Sequence, residues 1–296
     1  MFLKETQLVK EAKKSRYLFN VFLTLLFALI FLFVGQMLAA LISGALRFSE
    51  LLTSPINKML LRLILGFLPI TLLIFAFVKF IEKRNVSSMG FYKNGFVRKY
   101  FKGFMVGVAA FSSVVLLLAV TGHIKLVEVF NADKIIIFLM ILPGWMIQGA
   151  TEEILARGWL MNVLGAKYNV TVGLILSSLF FGVLHGGNPN VSYVAIINLV
   201  ITGIFFGLYV IKTEDLWGAC GIHAAWNAFQ GNFFGFEVSG MDTGVGSIMK
   251  LKSIGSDSFT GGAFGPEAGI ACTIVIFLIS IFLIYRIRKS YKKATV

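Results

Sequence analysis

A chain of 296 residues with 57% hydrophobic and only 14% charged side chains is too apolar for a soluble domain, which carries about 25% charged residues. The net charge, 27 − 14 = +13, comes from lysines and arginines gathered in blocks between apolar runs, so it signals membrane topology and speaks against a nucleic-acid partner. The two cysteines, Cys220 and Cys272, lie inside apolar runs without a CxxC pairing, and suggest neither a disulfide framework nor a zinc site.

Sixteen mostly polar residues precede an apolar run from about Leu18 to Leu46. That run is far longer than the roughly 7–15 residues of a signal-peptide core, so it is expected to be retained as a first span. Further spans are predicted near 59–81, 102–121, 135–164, 169–186, 191–211, 216–234 and 268–286. The fourth is long and the fifth short for a helix that needs about 20 apolar residues to cross. No polar linker separates these runs, and the expectation is a single membrane domain over 1–296: an all-α, polytopic helix bundle of about eight transmembrane helices.

Three basic blocks set the orientation: Lys4 to Arg16, Lys79 to Lys102, and Arg286 to Lys293. All three share one side only if the number of spans is even, so eight spans with both termini in the cytoplasm are expected. The largest outer loop, about 235–267, mixes acidic and basic residues with many glycines, and is expected to be a flexible connection in preference to a cap over a site. Gly203 and Gly207, with the stripe Ser178, Gly182 and Gly186, predict tight helix contact within the bundle; a dimer interface is possible but not favoured.

Ionisable groups within lipid are costly, about 2.5–3.5 kcal/mol each on the lenient insertion scale, and so mark function. The fourth span carries Glu152, Glu153 and Arg157 in the run GATEEILARGW, the fifth ends on His185, and the seventh holds His223 and Asn227. Glu153 and Arg157, at i and i+4, share a helix face and form an expected ion pair. Glu152, rotated by about 100°, is the carboxylate left to point elsewhere. Counted along untilted helices from their expected cytoplasmic ends, Glu152, His185 and His223 stand at roughly 20, 25 and 12 Å, heights that tilt and shifted helix ends permit to meet at one level. A packing role explains any one of these residues, but has no need of a carboxylate, two imidazoles and an amide together.

In order and placement, Glu152-Glu153-x-x-x-Arg157, Phe181-x-x-x-His185 and His223-x-x-x-Asn227 resemble the three-motif signature of the CAAX protease and bacteriocin-processing family, also called CPBP or Abi. The family core would cover about 130–285. The resemblance implies a glutamate-dependent intramembrane endopeptidase of the cell membrane, most plainly a bacterial one, acting on a membrane-associated peptide or protein. It implies Glu152 as general base on a water, His185 as its helper, His223 and Asn227 as oxyanion donors, and Glu153, Arg157 and Phe181 in support. No metal cofactor is expected, since HExxH is absent; a zinc ion, if present, would use Glu152, His185 and His223. Two other readings are a proton-coupled transporter, which would call for matched broken helices in the two halves, and a non-proteolytic bacteriocin immunity or scaffold protein.

Overall fold

Lipid offers no hydrogen-bond partners, so each apolar run closes its backbone bonds internally as a helix. In the computed structural model, which describes residues 3–45 and 54–293, helices follow every predicted run; Leu46, the expected end of the first, lies outside the described residues. The long helices are α2 (Val21–Ala45), α3 (Pro55–Ala76), α4 (Phe96–Val120), α5 (Asp133–Glu153), α7 (Val170–Leu184), α8 (Tyr193–Thr213), α9 (Trp217–Ala228) and α11 (Ile270–Lys293). Short helices α1 (Gln7–Ala12), α6 (Met161–Lys167) and α10 (Asp257–Thr260) complete the set, with one antiparallel ribbon of β1 (Ile124–Glu128) and β2 (Lys250–Ser253).

Among the described residues, seven helical segments are long and apolar enough to cross a membrane. The eighth expected segment is shorter: α9 has 12 residues and continues as a five-residue π-helical turn, Phe229–Phe233. It still runs the length of the bundle. The Leu216 amide at its start bonds the Gly90 carbonyl at 3.1 Å, and the Phe233 carbonyl at its far end accepts from Met249 at 2.8 Å, next to the β ribbon. The three basic segments gather at one end: the Lys4 amide donates to the Tyr291 hydroxyl at 3.2 Å and the Arg16 amide to the Glu82 carbonyl at 2.9 Å.

Two features depart from the sequence reading. The polar N-terminus includes α1, whose Leu8, Val9 and Ala12 are buried against α6 and the turn at Val86–Met89. The 235–267 segment is not a loose connection. Phe236, Val238, Val245, Ile248, Leu251 and Phe264 are buried, so the segment folds as a cap. The small residues expected to pack do so within the chain: a Cβ on Gly203 would lie 2.9 Å from the Ser178 backbone, and one on Gly182 would strike Val200 of α8.

Candidate active site

The fourth predicted span is one continuous helical rod, α5 followed by a π-helical stretch, Ile154–Leu160, and then α6. The widened stretch begins directly after Glu152 and Glu153, and such segments recur at functional sites because they re-aim side chains. Close packing then brings in α9. Gly149 has no side chain to hold the helices apart; a Cβ there would stand 3.0 Å from the Ala224 nitrogen and 3.1 Å from the His223 Cβ. His185 arrives from the end of α7, a helix started by the Asn169 side chain accepting from the Val172 amide.

The expected ion pair forms. Arg157 Nη1 donates to Glu153 Oε1 at 2.9 Å with both side chains fully buried. A buried pair of this kind carries a desolvation cost, and it is offset here by more than one partner. The Arg157 guanidinium sits 4.3 Å from the ring centre of Phe181 and 5.2 Å from that of Phe206, within cation–π range. Glu153 Oε1 also accepts from His223 Nδ1 at 2.9 Å, a link the spacing did not reveal.

Both imidazoles are oriented alike. A carbonyl can only accept, so His185 Nδ1 donates to the Phe181 carbonyl at 2.8 Å, as His223 Nδ1 donates to Glu153. The Nε2 atoms then face one oxygen of Glu152: Oε2 lies 3.6 Å from His223 Nε2 and 3.9 Å from His185 Nε2. These distances exceed a direct hydrogen bond and suit a molecule held between the three groups. The other oxygen, Oε1, accepts from Gln148 Nε2 at 2.6 Å, and Gln148 Oε1 accepts in turn from Asn227 Nδ2 at 2.7 Å. One amide thus ties the carboxylate of α5 to the amide of α9, leaving the second N–H of Asn227 unused by that bond.

All these groups except the buried Glu153 and Arg157 line one cavity of about 320 Å³ with mainly apolar walls. Gln36 of α2, Arg62 of α3 and Thr202 of α8 reach it, as do Ser239 and Glu267 from the cap. Glu267, in the turn Pro266–Ala268, is 6% exposed, and its Oε1 accepts from the Ser239 amide at 2.6 Å and hydroxyl at 2.9 Å. Glu152, His185 and His223 converge without the arrangement that holds a metal ion; among the described residues no group of three or more His, Cys, Asp or Glu has it.

Residues 134–229 match the family model of type II CAAX prenyl endopeptidases, Rce1-like. Over this segment the chain is similar to the CAAX protease family. At the level of that family the match supports an intramembrane endopeptidase, a hydrolase, and the chain carries the apolar helices of a multi-pass membrane protein. All seven residues of the three motifs fall inside the matched segment, whereas Ser239 and Glu267 lie beyond it. No curated protein and no solved structure matches the chain. Sequence reading missed Gln148, Ser239 and Glu267. Gln148 had a signal, as a lone amide one turn before Glu152 on the same helix face. Glu267 had none, standing in a glycine-rich stretch remote from every motif.

Proposed function

We propose that this protein is a glutamate-dependent intramembrane endopeptidase in which Glu152 activates a water to cut a membrane-associated peptide or protein. The observation that carries the reading is the meeting of one Glu152 oxygen with two imidazole Nε2 atoms inside 4 Å, in an apolar cavity. A carboxylate so placed takes a proton from water as the water oxygen bonds to the scissile carbonyl carbon. His185 orients that water. His223, whose Nδ1 is committed to Glu153, serves the oxyanion through Nε2. Asn227 offers its remaining N–H, and donors of this kind are worth about 2.7–4 kcal/mol each in a water-poor site. Glu153, Arg157 and Phe181 hold His223 and His185 in register.

In this reading protein groups activate the water without a metal, the substrate shares the bilayer with the enzyme, neither nucleic acid nor a dimer is required, and the membrane is the bacterial plasma membrane. The test is comparative membrane proteomics of wild type against Glu152→Gln and His223→Ala strains. An uncut precursor that accumulates in both variants, with the enzyme present at wild-type level, is the expected result. Retained processing in Glu152→Gln would overturn the reading. Substrate flux in vesicles without proteolysis would favour a transporter.

A further inference from the structure

The cap places a carboxylate in the cavity that the three motifs do not account for. Glu267 comes from a turn packed on α8 and α11, a different wall from that of Glu152 on α5. Its backbone is clamped, since Asn198 Nδ2 donates to the carbonyls of Glu267 and Gly269 at 3.2 and 2.9 Å, and Thr273 holds Asn198 Oδ1. Its Oε1 carries both bonds from Ser239. That serine is itself in the left-handed region, φ 50°, a conformation costly for a residue with a side chain and found where function demands it. Oε2 accepts no hydrogen bond among the described residues, on a side chain that borders the same cavity as Glu152, His185 and His223.

Fastening the cap does not call for a charge. A glutamine would accept the same two bonds from Ser239 through its amide oxygen. We propose that Glu267 is the general acid of the reaction, the group that hands a proton to the departing amine nitrogen. The proposal rests on the peptidase reading given above. Burial pushes the Glu267 carboxyl above the ordinary carboxylate range, and the two Ser239 donors and the charges of His185 and His223 pull it back. A carboxyl that holds its proton more firmly than usual, on a different wall of the cavity from Glu152, is suited to acid work.

The step balances. Glu152 removes one proton from water while the water oxygen bonds to the carbonyl carbon. The tetrahedral oxyanion collapses, the C–N bond breaks with its electron pair going to nitrogen, and nitrogen takes the proton of Glu267. One acid and one amine leave, Glu152 is protonated and Glu267 ionised, and a proton passing from the first to the second restores the site.

Two measurements on the full chain in liposomes test this. The first is infrared difference spectroscopy at neutral pH, where a protonated-carboxyl C=O band is expected that disappears in Glu267→Gln and persists in Glu152→Gln. Absence of that band overturns the proposal whatever the substrate. The second uses a peptide spanning the junction found by proteomics, with the scissile bond either an amide or an ester. Glu267→Gln is expected to lower kcat on the amide about 100-fold, the low end of general acid catalysis, while the ester, whose alkoxide leaves without help, falls less than about threefold. Equal loss on both bonds, or no loss on the amide, overturns it. Full cleavage by Glu152→Gln would instead sink the reading of Glu152 as the base, a distinct outcome.

Discussion

Gln148 is the side chain whose replacement tests the geometry most directly. In Gln148→Leu, similar volume is kept, but Glu152 Oε1 loses its 2.6 Å donor and Asn227 Nδ2 its 2.7 Å acceptor. A hydrogen bond to a charged group contributes about 1.5–3 kcal/mol and a neutral one about 0.5–1.5 kcal/mol. Glu152 is 20% exposed to the cavity, so solvent recovers part of that sum. The expected net loss of transition-state stabilisation is about 1.4–2.7 kcal/mol, a ten- to hundredfold drop in kcat/KM. It should fall on kcat more than on KM, because what is lost is the aim of base and oxyanion donor and not contact with the bound chain. The assay is steady-state cleavage by protein in liposomes, together with Asn227→Ala and the double variant. Since Gln148 and Asn227 act as one unit, the double variant should fall short of the summed effects by at least about 0.5 kcal/mol. Wild-type kcat/KM within twofold in Gln148→Leu, or full additivity in the cycle, would refute the reasoning.

Arg157→Ala leaves Glu153 buried without its partner, and is expected to cost about 3–5 kcal/mol of stability, seen as a lower melting temperature in detergent; an Arg157→Met, Glu153→Gln double variant should recover part of it, and unchanged melting in Arg157→Ala would contradict this account. With Glu152 activating the water, as proposed, cleavage should persist in a strong zinc chelator; inactivation reversed by added zinc would instead assign Glu152, His185 and His223 to a metal.

The helices were legible in the sequence because lipid enforces long apolar runs, and the runs are all there to be counted. The meeting of Glu152, His185 and His223 was legible only as residue types on separate spans. Helical arithmetic put the three at different heights, and their convergence depends on α9 seating itself against Gly149, a contact between segments about seventy residues apart. The Glu153–Arg157 pair could be read because both partners share a helix. The bond from His223 to Glu153 could not, since it joins two helices and no local period encodes it. The cap was misjudged for a related reason: its glycines suggest slack, yet several of them stand where the chain turns through positive φ, as Gly240 does at 82° beside the Pro189 carbonyl.

The matched core ends at residue 229, and the lid that carries Ser239 and Glu267 is encoded afterwards. The groups proposed to activate water and the roof that brings Glu267 are therefore separate stretches of gene. A roof of different sequence would have to bring a carboxyl of its own and renew the bonds to the helices beneath, as Glu267 does through Asn198.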